Sequence, residues 1–227
     1  MSSTGPRFSK FLLEQNPDLD LPDEVSLINP YLNQEVKSVV INFCSRFYSD
    51  KTERVLILGI NPGRFGAGVT GIPFTDPIAL ENICGIPNTF QKKHELSSRF
   101  IYEMINSFGG PEVFYGKFLL SAVCPLGFLM GNKNYNYYDS TALFNSVENF
   151  IKRSLQQQAQ LNISNITVVS LGKKNASFLE ALNRELKLFK SVITLEHPRY
   201  IMQYRLKSMH HYVDDYHKVL SGILMQH

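Results

Sequence analysis

Four short apolar runs, at residues 54–61, 117–124, 166–171 and 191–195, set the limits on how this chain folds. Each is too short for an ordinary helix. Each is also closed by turn-forming or helix-starting residues: Asn61-Pro62-Gly63, Pro125, Gly172 and His197-Pro198. Between them lie stretches of helical periodicity at 34–48, 95–108, 174–189 and 203–225, and one that Asp139-Ser140 can cap, running to Gln160. A strand covered on both faces reads as an unbroken apolar run, and strands alternating with helices form a parallel sheet. The expected fold is therefore α/β, a three-layer α/β/α sandwich around a four-stranded parallel sheet.

Composition narrows the function classes. At 44% hydrophobic and 19% charged residues, neither disorder nor a fibrous repeat fits. No apolar stretch approaches the roughly eighteen residues of a membrane span, so no membrane role is expected. The first twenty residues lack a basic-then-apolar leader pattern, which points to a cytoplasmic protein. Cys44, Cys84 and Cys124 are odd in number and widely spaced, so they read as free thiols and fall short of an iron–sulfur ligand set. Residues 1–24 carry Arg7 and Lys10 against Glu14, Asp18, Asp20, Asp23 and Glu24, a local net of −3 that leaves +6 on the remainder of a +3 chain. We therefore read residues 1–24 as an N-terminal extension and 25–227 as one domain. A moderately basic body suits a polyanion such as nucleic acid without requiring one.

In parallel α/β sheets the ligand site lies beyond the carboxyl ends of the strands. The first strand end is the most unusual, because five of the fourteen glycines fall between Gly59 and Gly71. Gly66 to Gly71 matches G-x-G-x-x-G in letters, but it neither leaves a strand directly nor opens a helix before Ile72-Pro73-Phe74, so a dinucleotide site is rejected. The Gly-Lys-Ser/Thr of a phosphate loop is missing, and no cofactor is expected. Taken singly, Asn61 reads as a cap of its own Pro-Gly turn, His197 as a hydrogen-bonded surface residue and Phe74 as a core aromatic.

Taken together, Asn61-Pro62-Gly63, Thr70-Gly71-Ile72-Pro73-Phe74 and His197-Pro198 resemble the uracil-DNA glycosylase superfamily. The resemblance is nearest to its single-strand-selective monofunctional branch (family 3), in a bacterial sub-type. It continues through Glu95 to Phe100, Pro111 to Tyr115 and Cys124-Pro125-Leu126, in the family's order. The resemblance implies a sheet ordered 2-1-3-4 and hydrolysis of the glycosidic bond of uracil in DNA at the start of base excision repair; Ala122, which departs from the family's pattern, leaves hypoxanthine and xanthine open as further substrates. It implies that Asn61 positions the attacking water and His197 donates to the departing base. Phe74 would stack on the extruded ring, Gly63 would form the pocket floor, and Ile60 would line the base site. The implied partner is DNA, met by a monomer, as the substrate in the nucleoid; no metal is involved.

Two departures bear on that reading. Ala122, beside Ser121, stands where the family has its base-reading Asn, so base choice would pass to Ser121 or to backbone groups. The family's His-Pro-Ser-Pro is His197-Pro198-Arg199-Tyr200-Ile201 here, and a wedge into DNA is expected from among Arg199, Tyr200, Ile201 and Met202, with its tip unassigned. Arg64 and Arg205 are expected phosphate contacts, with Lys92, Lys93, Lys133 and Lys207 equally open to being solvated side chains. Tyr135 to Tyr138 could stack bases but reads rather as a loop packed over the sheet. His210, Asp214 and His217 share a helix face but read as solvated side chains rather than metal ligands. The rival functions are a non-catalytic reader of damaged or single-stranded DNA and a nucleoside hydrolase. The water-positioning pair argues against the first, and the basic strand-end loops against the second.

Overall fold

The computed structural model describes residues 3–225. In chain order it runs α1 (Thr4–Leu13), β1 (Val25–Ile28), α2 (Gln34–Phe47), β2 (Arg54–Gly59), α3 (Ala67–Thr70), α4 (Pro77–Asn82), α5 (Leu96–Ser107) and α6 (Pro111–Tyr115). It continues with β3 (Phe118–Ala122), β4 (Gly127–Met130), β5 (Lys133–Tyr135), α7 (Thr141–Gln158), β6 (Ile163–Leu171), α8 (Lys173–Leu186), β7 (Ser191–Leu195), α9 (Pro198–Tyr204) and α10 (Met209–Leu224). The four apolar runs are β2, β3, β6 and β7, which pair in parallel in the order β3-β2-β6-β7. Numbered among themselves, that is 2-1-3-4. All six residues of β2 are buried, as a central strand under helices on both faces requires. Past the strand ends the β2–β3 ladder goes on, with the Val123 amide donating to the Gly59 carbonyl (2.9 Å) and Cys124 to Ile60 (3.1 Å).

The helices start where polar caps stand. Asn33 accepts from Glu35 and Val36 at the start of α2, Asp76 from Ile78 and Ala79 at α4, and Ser140 from Leu143 at α7. Residues 203–225 are not one helix as expected. A 3-10 turn at Leu206–Ser208 separates α9 from α10. A second, antiparallel sheet, β1-β4-β5, also went unread, because its strands are only three or four residues long and partly exposed. Its β4–β5 hairpin closes from Met130 to Lys133 through Gly131-Asn132, with Gly131 at φ +55, the left-handed turn conformation glycine adopts without strain.

Within the first 24 residues, α1 is part of the packing. Phe8, Phe11 and Leu12 are buried in the main core, and Gly5 brings α1 against α2 so closely that a Cβ there would stand 2.5 Å from the Cys44 carbonyl oxygen. Below α1 the Arg54 side chain is completely buried. Its Nε donates to the Tyr115 carbonyl (2.7 Å) and its Nη1 to the Thr52 carbonyl (2.8 Å), while Nη2 pairs with Asp50 (2.9 Å). The cation thus keeps its partners, without which burial would cost several kcal/mol (about 3–5). All three cysteines are free and buried. Burial pushes the thiols of Cys84 and Cys124 up to about 12 and raises that of Cys44 as well.

Candidate active site

All four strand ends open into one cavity of about 690 Å³. Asn61 and Gly63 follow β2, Ser121 and Ala122 end β3, Gly172 and Lys173 follow β6, and His197 follows β7.

Asn61 does not cap its own turn through its side-chain oxygen. Its Oδ1 accepts from the Tyr137 backbone amide (3.1 Å), and its Nδ2 donates to the carbonyls of Tyr135 (3.3 Å) and Pro62 (3.4 Å). The loop from Tyr135 to Tyr138, packed over the sheet as expected, therefore fixes which way the amide points. That loop is pinned in turn by the buried Tyr137, whose hydroxyl donates to Asn175 Oδ1 (2.9 Å). Asn175 Nδ2 donates back to the carbonyls of Leu58 and Gly59 (both 3.2 Å).

His197 is the N-cap of α9, and its Nδ1 accepts from the Arg199 amide (3.1 Å). A neutral imidazole accepting at Nδ1 must carry its proton on Nε2, so the ring offers a donor. Burial, reinforced by the Arg199 charge, lowers its pKa from 6.5 to about 4, which keeps the ring neutral near neutral pH. Gly172, at φ +101, lies against it, where a Cβ would come within 3.2 Å of the His197 Cβ.

Phe74 presents its ring 6.4 Å from the His197 ring, centroid to centroid. Its backbone is left-handed, φ +57, an unfavourable state for a bulky residue that persists only when neighbours enforce it. They do. Thr70 Oγ1 donates to the Thr75 carbonyl (2.6 Å), Tyr31 Oη donates to the Gly71 carbonyl (3.1 Å), and Thr75 Oγ1 bonds Tyr102 Oη (2.9 Å). Gly59 leaves the space, since a Cβ there would meet the Phe74 ring at 2.4 Å.

Ser121 lines the cavity almost without solvent exposure, and its Oγ has no protein partner among the described residues. A buried hydroxyl with no partner carries a desolvation cost that a bound polar ligand would relieve. Ala122 also reaches the cavity, its carbonyl accepting from Gln158 Nε2 (3.1 Å). Ile60 is half-buried on the wall.

Five cations ring the mouth: Arg64, Lys133, Lys173, Lys174 and Arg199. Two are partly neutralised, Lys173 by Glu196 (2.7 Å) and Lys174 by Asp139 (3.7 Å). Lys93 lies 3.6 Å from the Phe65 ring centre, and the Arg64 guanidinium 4.4 Å from it. Lys92 is bound to Glu81 (2.5 Å).

The segment after His197 does not present all of the expected wedge residues. It is the helix α9, and Ile201 and Met202 are buried in the core, so neither can enter DNA. A helix sends successive side chains about 100° apart, and Arg199, Tyr200, Gln203 and Tyr204 take the outer face. Tyr200 and Tyr204 pack ring against ring at 5.5 Å, and Arg205, outside the cavity lining, sits over Tyr200 at 5.7 Å. Tyr204 and Asn134 also line the cavity and were not read from the sequence, and Tyr138, from the segment read as a loop over the sheet, lines it as well. His217 lies against Phe108, ring centres 4.3 Å apart, on α10.

The family model of the uracil DNA glycosylase superfamily matches residues 46–221. The chain belongs to the uracil DNA glycosylase superfamily. A solved structure, the crystal structure of wild-type Pedobacter heparinus SMUG2, is 43% identical with a TM-score of 0.94, over 98% of this chain and 99% of that one. No curated protein matches it. As a superfamily member it is a DNA glycosylase, a hydrolase of N-glycosyl bonds, and no helix among the described residues is long and apolar enough to cross a membrane.

Proposed function

We propose that the protein excises uracil, and with it hypoxanthine and xanthine, from DNA, acting as a monomer in the bacterial cytoplasm on nucleoid DNA at the first step of base excision repair. The observation that carries this reading is the meeting of Asn61, His197 and Phe74 in one cavity, with His197 held neutral as a donor. The extruded base stacks on Phe74, over the floor at Gly63. Cleavage of the C1′–N bond sends its electron pair into the base and leaves an oxocarbenium-like sugar. The Nε2–H of His197 donates to the base oxygen on which that charge gathers, a preorganised donor of the kind that stabilises a developing anion. Asn61 Oδ1 has a second lone pair beyond the one used by Tyr137, and it aligns a water on C1′. An amide is too weak a base to ionise that water, and a sugar cation does not need it to. The water's oxygen joins C1′, a proton passes to the departing base, and free base and an abasic site result.

Ser121, with its unsatisfied hydroxyl, reads the base edge beside Ala122. Arg64, Arg199, Tyr200 and Arg205 contact the DNA strand, with the tyrosines of α9 filling the gap left by the extruded base.

The test is excision from oligonucleotides differing only in one base, compared in wild type and Ala122→Asn. Wild type should release uracil and, more slowly, both deaminated purines, and the variant should shift toward uracil. Strict uracil specificity in wild type would remove the purines from the proposal. Binding of uracil-containing DNA without cleavage would favour a non-catalytic reader, and cleavage of free nucleoside in preference to DNA a nucleoside hydrolase.

A further inference from the structure

Besides Asn61, the cavity is lined by the side-chain amides of Asn134, Asn136 and Gln203. Asn134, in β5, lines it and is half-buried. Its Oδ1 accepts from the Arg64 backbone amide (3.1 Å), and that bond fixes the orientation of the group, because only the oxygen can face an N–H. Its Nδ2 has no protein partner among the described residues. That nitrogen lies against the cavity floor, since a Cβ built on Gly63 would stand 3.0 Å from it. The segment is braced a second time where the Arg64 guanidinium donates to the Asn132 carbonyl. A flexible amide has thus become a pair of N–H donors held in one place.

We propose that Asn134 is a base-reading residue, its Nδ2 donating to the carbonyl that distinguishes a deaminated base from its parent. The inference rests on the glycosylase reading above. Uracil, hypoxanthine and xanthine each carry a carbonyl where cytosine, adenine or guanine carries an amino group. A fixed donor meets that carbonyl with a hydrogen bond, whereas it meets the amino group donor to donor. A buried site whose polar groups are left unpaired by the wrong ligand rejects it far more strongly than a mismatch of shape does. Gly63 acquires a specific role here, because any side chain at that position would push the amide away. Asn134 also lies on a different element from position 122, so discrimination persists although Ala122 brings no amide.

The experiment measures single-turnover cleavage of uracil and of cytosine in otherwise identical oligonucleotides, together with affinity for product DNA carrying an abasic site. Asn134→Asp keeps the acceptor for Arg64 but replaces the donor with a second acceptor, and Asn134→Ala removes both. Because the substrate ratio is taken within each variant, a general effect of the new charge on DNA binding cancels. Uracil cleavage should fall about a hundredfold or more in both variants. The preference for uracil over cytosine should shrink most in Asn134→Asp, with abasic-site affinity changed far less than the rate. Wild-type rates in Asn134→Asp would overturn the inference. So would equal losses of cleavage and abasic-site affinity with the base preference unchanged, which would make Asn134 a brace for the Arg64 loop. A wild type that leaves uracil DNA uncut would overturn the glycosylase reading itself and the inference with it, and needs no variant to detect.

Discussion

In both Asn61 and His197 a backbone amide bonds one atom of the side chain and so sets its orientation, leaving the second lone pair of the same Oδ1 to work in Asn61 and the opposite Nε2–H in His197. Tyr137 orients the first, Arg199 the second. Replacing either with alanine is expected to slow single-turnover cleavage by roughly 10²-fold or more, the scale of losing one preorganised donor. The lowered pKa of His197 adds a pH prediction. The native ring stays neutral down to about 4, so cleavage should lose nothing through His197 between pH 8 and pH 5 and should fall only as pH approaches 4. A rate profile that instead dropped with a midpoint near 6.5 would contradict the neutral donor. The effect on stability follows with a definite sign. Between 6.5 and about 4 the unfolded chain takes up the proton and the native one does not, so this contribution is complete above 6.5 and is lost as pH falls through that window. That Asn61 and His197 share one cavity was legible from their strand-end positions, where parallel sheets put ligands, whereas the roles expected of them came only from the resemblance, since each taken singly reads as a structural residue. Asn134 was not legible, because its significance comes from Arg64, seventy residues away, and nothing local marks it.

Among the elements, the loop bearing Phe74 depends most on distant support. Tyr102, on α5, sets a hydroxyl among Thr75 Oγ1 (2.9 Å), Cys84 Sγ (3.0 Å) and Tyr115 Oη (3.2 Å). Thr75 Oγ1 donates to the Pro73 carbonyl (3.2 Å), which leaves it to accept from Tyr102. Removing that one oxygen in Tyr102→Phe leaves a buried Thr75 lone pair empty while barely altering volume. Tyr115 Oη and Cys84 Sγ lose the same contact, so we expect about 2–3 kcal/mol lost in stability, more than the scale of one hydrogen bond. Phe74, no longer forced into its left-handed backbone, should stack less well, so KM for a uracil oligonucleotide should rise severalfold with kcat nearly unchanged. An unaltered KM would show that Thr70 and Tyr31 suffice. The parallel strands were readable because burial on both faces erases polar alternation. The antiparallel sheet was not, since its short strands carry Ser26, Asn134 and other polar residues, although Gly131-Asn132 is a hairpin signal in its own right. The wedge role expected of Ile201 failed for a simpler reason. Nothing in the residues after Pro198 marks which of them face the core, and only the packing shows Ile201 and Met202 buried.

For the molecule as a whole, the acidic character of residues 1–24 conceals what holds them. Charge pattern marks a separate extension, whereas Phe8, Phe11 and Leu12 are apolar on one helix face and buried. The three thiols are sealed in equally different places: Cys44 within α2 beneath α1, Cys84 just beyond α4, and Cys124 past the end of β3. A thiolate is the reactive species, and at neutral pH a thiol titrating near 12 is almost never ionised, even apart from its burial. The protein thus carries three silent chronometers of its own opening. A small alkylating probe should consume no thiol while the fold is closed and all three once it is denatured. Under native conditions, each cysteine's labelling rate, resolved by peptide mass spectrometry, should report how often its own region breathes. If α1 detaches independently, Cys44 should label first, and Cys124 should be slowed when abasic-site DNA occupies the adjoining cavity.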